Sequence, residues 1–167
     1  MEELFFKRRS VRAYLDTPVK KQDIQKLLEY AMAAPSALDR RPWKFYVITD
    51  KAKLQELNAT SRFTNFTSPL VIIVAGDKSK MLRQPYTDFW MQDCSAAVQN
   101  ILLGATSLGL GSCWCGVYPK QESVEKVREV LGEDENIIPF ALVRIGYATE
   151  MPEPRNRFMP ENVTYIE

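Results

Sequence analysis

The chain has 167 residues, of which 46% are hydrophobic and 11% aromatic, so it can bury the core of one domain, expected over residues 1–167, without disulfides or metal. Its formal net charge of +1, from 22 basic and 21 acidic residues, excludes a global field that would attract nucleic acid or anionic lipid. Histidine is absent, which excludes Ser-His-Asp and Cys-His catalysis and His-ligated metal sites.

No apolar run approaches the roughly 18–20 residues of a membrane span, and the first residues lack the basic start and apolar core of a secretory signal. We therefore expect a cytoplasmic protein with neither a membrane nor a nucleic-acid partner. The three cysteines suit reduced, buried thiols better than a disulfide framework, and a Cys-only zinc site would need a fourth thiolate.

The N-terminal stretch Arg8-Arg9-Ser10-Val11-Arg12 follows a short predicted helix, Leu4 to Lys7. Three guanidiniums and a hydroxyl within five residues can bind a phosphate dianion, because an arginine fork donates paired hydrogen bonds and the serine adds a further donor. Taken alone, the three arginines are also compatible with an ordinary solvent-exposed charged surface.

The middle of the chain alternates between helical and extended patterns. Apolar residues recur at helical spacing from Ile24 and stop at Ala34-Pro35, where proline ends the helix. Trp43 to Ile48 alternates as a strand does, and Lys51 to Asn58 has the pattern of a short helix. The β-branched run Ser68 to Ala75 predicts a strand buried on both faces.

The second half begins with the longest helix, Phe89 to Leu108, which Gly109 and Gly111 end. An extended segment, a helix capped by Gly132 and a last strand follow, at Ser112–Val117, Val124–Leu131 and Phe140–Tyr147. Val163 to Ile166 in the proline-containing tail is expected to pair as an edge strand. This order of elements predicts an α+β fold whose central mixed sheet carries helices on both faces.

No Gly-x-Gly-x-x-Gly opens a helix, because Gly109-Leu110-Gly111 follows a helix rather than a strand. Four stretches in their order and spacing nevertheless resemble the short, single-domain members of the FMN-dependent nitroreductase family. They are Arg8–Arg12, Ala34–Trp43, Gly109–Gly116 and Ile145–Tyr147 followed by Pro154–Phe158. The resemblance implies a three-layer α/β/α fold and an intertwined homodimer, with FMN in each of two clefts between the subunits.

The same resemblance implies the cofactor-binding residues: Arg8, Arg9, Ser10, Arg12, Pro35, Ser36, Ala37, Leu38, Asp39, Cys115, Gly116, Val117, Arg155 and Arg157. The N-terminal group and the two tail arginines bind the phosphate, Arg157 being the better tail candidate, and the N-terminal group also reaches the pyrimidine edge. The loop 35–39 meets the flavin from the other subunit. The backbone of residues 115–117 lies against the isoalloxazine, with a main-chain N–H facing N5.

The chain departs from the family in two places. Asp39 and Arg41 stand where the loop usually carries Asn and Gln, and an aspartate can accept but not donate a hydrogen bond to the ring edge. Pairing of Asp39 with Arg41 or Arg40 is the alternative, and these arginines could also favour the 2′-phosphate of NADPH. The second departure is length. Larger relatives have additional helices here that cover the flavin, whereas this chain has only the short connection Gly76 to Asp88.

That short connection places Tyr86, Phe89 and Trp90 either near the flavin face or in the core, with core packing expected for Trp90. If Ser112–Val117 is extended, Cys113 and Cys115 lie on the face opposite Trp114, and we expect packing rather than a redox role for both thiols.

The resemblance implies an NAD(P)H-dependent FMN oxidoreductase that passes electrons to a nitroaromatic, quinone or similar small acceptor by a ping-pong mechanism. No side chain is expected to be catalytic, because the flavin N5 carries the chemistry. The alternatives are a reductive dehalogenase or flavin-modifying enzyme of the same superfamily, and a non-enzymatic FMN-binding module.

Overall fold

The computed structural model describes residues 2–167 and contains five helices and four strands. In chain order these are α1 Glu2–Lys7, α2 Lys21–Met32, β1 Trp43–Ile48, α3 Lys51–Asn58, β2 Leu70–Asp77, α4 Phe89–Ser107, β3 Gly111–Gly116, α5 Gln121–Leu131 and β4 Ile137–Gly146. Short 3₁₀ turns lie at Ala37–Asp39, Lys78–Lys80 and Pro160–Asn162. Within residues 2–167, none of the helices has the length and apolar character needed to cross a bilayer.

The four strands form one sheet in the order β1-β2-β4-β3, and each neighbouring pair is antiparallel. The sheet is therefore antiparallel rather than mixed as predicted, and the parallel contact found among the described residues is the isolated bridge between Ser10 and Ser112 beside β3. β2 is buried from Leu70 through Gly76, as the β-branched run predicted, because it lies between two other strands and under helices on both faces.

The two faces of the sheet carry separate hydrophobic layers. On one face α2 and α4 pack over Leu70, Ile72 and Val74, and on the other α3 and α5 pack over Val71 and Ile73. This division follows from the two-residue period of a strand. The α+β, three-layer α/β/α arrangement confirms the predicted fold class.

The prediction of an edge strand at Val163–Ile166 is wrong. The tail from Met151 to Glu167 contains only the Pro160–Asn162 turn, and its side chains are mostly exposed. The β3 edge of the sheet is already bridged by Ser10, and among residues 2–167 the tail does not pair with the outer side of β1, which forms the other edge.

Candidate functional site

The basic N-terminal segment is fixed against β3 by Val11. Its side chain is 2% exposed, and its backbone N–H donates to the carbonyl oxygen of Ser112 at 2.9 Å. Gly111 makes this approach possible, because a Cβ built there would lie 2.9–3.0 Å from three side-chain atoms of Val11. Such distances are too short for an unstrained contact, so a glycine at position 111 determines how closely the segment docks.

Tyr14 provides a second anchor for the same segment. Its hydroxyl donates to the carbonyl oxygen of Val11 at 2.6 Å, and its ring stacks on Phe66 with 6.5 Å between the ring centroids. Burial raises the pKa of Tyr14, which therefore stays a neutral donor at physiological pH. Val11 and Tyr14 thus hold the backbone while Arg12 remains exposed.

Arginines from the two ends of the chain converge beside this segment. The guanidinium of Arg9 donates to the carbonyl oxygen of Glu153 in the tail. The pKa of Arg9 is lowered, first by desolvation and then by repulsion from Arg155, Arg157 and Arg8. None of these four guanidiniums forms an ion pair with a carboxylate of residues 2–167. Close cations without counter-ions are an arrangement that a dianion stabilises.

The loop 35–42 has an unusual backbone. Leu38, Asp39 and Arg41 have φ angles of 51°, 54° and 49°, a left-handed conformation that costs energy in residues other than glycine. Two hydrogen bonds hold this shape: Ala37 N–H donates to Asp93 Oδ1 at 2.8 Å, and Arg41 N–H donates to Ser36 Oγ at 3.0 Å. The result projects Leu38 into solvent with 83% of its surface exposed.

Within that loop the alternative of an Asp39–Arg41 pair is the observed arrangement. Arg41 Nε donates to Asp39 Oδ1 at 2.7 Å and a terminal nitrogen donates to Oδ2 at 2.6 Å, a bidentate geometry. This contact lowers the pKa of Asp39. Arg40 is not part of the pair, and its Nε donates instead to the carbonyl oxygen of Lys80 at 3.1 Å.

A groove of about 640 Å³ opens between the end of β3 and the loop 61–66. Arg12 and the segment 115–117 line it, together with the two cations Arg62 and Lys120. A Cβ added to Gly116 would meet no atom within 4 Å, so the backbone of β3 faces open space there. The volume lies within the range of roughly 300–1,000 Å³ that is typical of small-molecule sites.

The side chains of β3 alternate as predicted. Cys113 and Cys115 are buried in the layer under α3 and α5, whereas Trp114 is 37% exposed and its ring contacts Phe140 at 5.9 Å between centroids. Both cysteines are free thiols, as is the buried Cys94. The pKa of Cys113 is lowered, first by a hydrogen bond from the Cys115 thiol. The expectation that they pack rather than react stays a prediction.

Sequence reasoning missed the loop 61–66 and the buried arginine beneath it. Arg144 on β4 is 0% exposed, and one terminal nitrogen donates to Asn58 Oδ1 at 2.7 Å and to the carbonyl oxygen of Thr64 at 2.8 Å. Its guanidinium also lies over the Phe66 ring at 4.9 Å from the centroid. Arg144 thereby ties this wall of the groove to the sheet; an arginine within an apolar strand pattern was the signal available.

The predicted binding residues therefore fall into three places in the single chain. The two termini meet at the arginine cluster, and Arg12 joins residues 115–117 at the groove. The loop 35–39 lines neither place. Of the three aromatic candidates, Trp90 is a core residue, while Tyr86 and Phe89 are exposed.

A model of the nitroreductase family matches residues 6–65 and 61–147. A protein of Archaeoglobus fulgidus, provisionally named an NADH dehydrogenase/NAD(P)H nitroreductase, is 41% identical over 171 residues, covering 98% of this chain and 97% of the relative. The chain belongs to the nitroreductase family. It is accordingly an oxidoreductase.

Solved structures of nitroreductases share the fold closely. An FMN-dependent nitroreductase of Clostridium difficile R20291 is 32% identical and superposes with a TM-score of 0.90, covering 100% of this chain and 99% of the other. A nitroreductase-like protein of Desulfovibrio desulfuricans, solved in complex with FMN, is 26% identical with a TM-score of 0.84, covering 99% and 96%.

Proposed function

We propose that residues 1–167 form one FMN-binding domain that acts as a homodimer and passes electrons from NADH or NADPH to a nitroaromatic, quinone or similar small acceptor. Family membership supports the oxidoreductase class. The observation that carries the cofactor assignment is the cluster of Arg8, Arg9, Arg155 and Arg157, whose charges have no carboxylate partner in residues 2–167.

The residues present fit FMN in two respects. The arginine cluster supplies donors for a phosphate, with Ser10 beside it on the same docked segment. The open space in front of Gly116 lets a flat ring approach the backbone of β3, where a larger residue would intrude. When bound, FMN supplies a ring that accepts and returns two electrons. The proteins solved or named with FMN among the relatives support the same choice.

In this proposal the protein binds and orients the flavin, and none of its side chains has to gain or lose a proton. The N-terminal arginines, Ser10 and the tail arginines hold the phosphate, and Arg12 faces the ring from the groove. Pro35, Ser36, Ala37, Leu38 and Asp39 serve the flavin site of the partner subunit. The backbone of Cys115, Gly116 and Val117 lies against the ring. One main-chain N–H of this segment faces N5, and it is not that of Val117, which donates to the carbonyl oxygen of Phe140 at 3.0 Å. No side chain is assigned as a general acid or base.

The homodimer is supported by apolar surface that one chain leaves uncovered. Phe5 and Phe6 on α1 and Phe158 in the tail are exposed, as is the projecting Leu38. Single apolar side chains are ordinary on a surface, but aromatic groups at both termini and at a strained loop suit burial against a second copy.

A ping-pong mechanism follows if NAD(P)H and the acceptor occupy the same cleft in turn. Initial rates measured against both substrates should then give parallel lines in double-reciprocal plots. Intersecting lines would contradict sequential use of one cleft and favour a site that holds both substrates together.

Removal of single arginines tests the phosphate assignment. A charge-assisted hydrogen bond contributes ~1.5–3 kcal/mol, so Arg8→Ala and Arg157→Ala should each weaken FMN binding by about ten- to a hundredfold. Riboflavin, which lacks the phosphate, should lose far less affinity, and Lys126→Ala on α5 should change neither. Equal losses for FMN and riboflavin would show that these arginines do not contact the phosphate.

A further inference from the structure

A second groove, of about 780 Å³, lies beside the loop 35–42 and shares no lining residue with the groove at β3. Three of its lining residues are the cations Arg40, Lys78 and Arg83, and no carboxylate lines it. Asp77, the carboxylate next to Lys78 in the chain, caps the turn through Ser79 and pairs with Lys80 at 3.4 Å. Among residues 2–167 the three groove cations therefore have no ion-pair partner.

The structure separates the two arginines of the loop. Arg41 is occupied by its bidentate contact with Asp39, whereas Arg40 holds the loop to the groove wall through the carbonyl oxygen of Lys80. Only Nε of Arg40 is used in that bond, so its terminal nitrogens remain available for an anion. Of the two arginines, Arg40 is therefore the one that lines the groove and can contact a ligand there.

Two further groups at the groove, a hydroxyl and an aromatic ring, indicate which kind of ligand it can bind. The Thr87 hydroxyl oxygen is buried and has no hydrogen-bond partner within the described chain, so its side chain would gain a partner by turning toward a polar ligand in the groove. The Tyr86 ring is exposed and lies 5.7 Å from the Phe89 ring, so it offers an apolar face on which a heteroaromatic base can stack.

We propose that this groove binds the phosphorylated ribose of an adenosine, the 2′-phosphate end of NADPH, and so makes NADPH the preferred reductant. A phosphate brings a double charge and several acceptor oxygens to three cations and a free hydroxyl, whereas NADH presents only a neutral hydroxyl there. The inference rests on the proposed function. The groove would serve the flavin cleft of the partner subunit, because Arg40 directly follows the loop 35–39 that the proposed function assigns to that cleft.

Equilibrium titration of the FMN-loaded protein at low ionic strength tests the assignment. NADP⁺ should bind at least about tenfold more tightly than NAD⁺, and 2′,5′-ADP more tightly than 5′-AMP. Because the cations are exposed, Lys78→Ser and Arg83→Ser should each weaken NADP⁺ and 2′,5′-ADP binding by about five- to tenfold, which is less than a buried charge-assisted contact gives. NAD⁺ affinity should change less than twofold, and the control Lys126→Ser should alter no ligand.

Equal losses of NADP⁺ and NAD⁺ affinity, or no loss in either variant, would overturn the proposal. Inorganic phosphate that competes as well as 2′,5′-ADP would also overturn it, because the groove would then not recognise the adenosine. Reduction of the bound flavin separates this failure from that of the proposed function. If NADH and NADPH bleach the flavin equally in every variant, only the groove assignment fails; if neither bleaches it, the proposed function fails as well.

Discussion

Gly111 should determine whether the phosphate-binding segment can dock on the sheet. An alanine there places Cβ 2.9–3.0 Å from three atoms of Val11, whose side chain is buried against β3. Overpacking of this kind costs typically about 1–3 kcal/mol. Displacement of the segment also weakens the 2.9 Å hydrogen bond from Val11 N–H to Ser112, a further ~1 kcal/mol. We therefore expect Gly111→Ala to lower the free energy of unfolding by about 2–4 kcal/mol and to weaken FMN binding.

A double-mutant cycle isolates the contact. Val11→Ala removes the two Cγ atoms that crowd position 111, at a cost of about 1–2 kcal/mol for the lost burial. If the crowding argument is right, the double variant is more stable than the sum of the single effects predicts, by about 1 kcal/mol or more. Urea unfolding measures the stabilities, and FMN fluorescence titration follows the site. Strictly additive effects would refute the proposed contact.

Three other variants test the loop 35–42. Asp93→Ala leaves the Ala37 N–H without its acceptor and should cost about 1–3 kcal/mol in urea unfolding, whereas Asp93→Asn keeps an acceptor oxygen and should cost less; equal costs would count against the bond. Burial raises the pKa of Asp93, so the stability it contributes is complete below the unfolded pKa of about 3.9 and is lost as the pH rises through the folded pKa. The stability of Asp93→Asn relative to wild type should accordingly grow from pH 4 to pH 7, and a constant difference would contradict that assignment. Asp39→Asn weakens an exposed pair with Arg41 and should leave the urea unfolding midpoint almost unchanged while changing flavin affinity; unchanged affinity would remove the loop from the site.

Elements with strong local signals were predictable from sequence to within a residue or two. Trp43–Ile48 and Lys51–Asn58 have the predicted bounds, the helix being fixed at its start by the Asp50 side chain, which accepts from Lys53 N–H. Gly132 ends α5 with a φ of 68°, as its position after the helical pattern indicated.

Features that depend on the assembled fold were not predictable in this way. The antiparallel strand order is set by packing between distant segments, and the Val163–Ile166 pattern could not show that the tail does not pair with either edge of the sheet within one chain. The wall built from residues 61–66 depends on Arg144, which is 86 residues from its partner Asn58. The resemblance to the family identified the arginines near the N-terminus and those in the tail as candidates, but only the fold shows that the two groups lie beside each other.

Anaerobic reduction of the bound cofactor tests the central claim most directly. We predict that the purified protein carries or takes up FMN, that NADPH or NADH bleaches its visible flavin absorbance, and that a nitroaromatic or quinone added afterwards restores it. A protein that takes up no FMN, or whose bound FMN is unchanged by both nicotinamide nucleotides, would contradict the account.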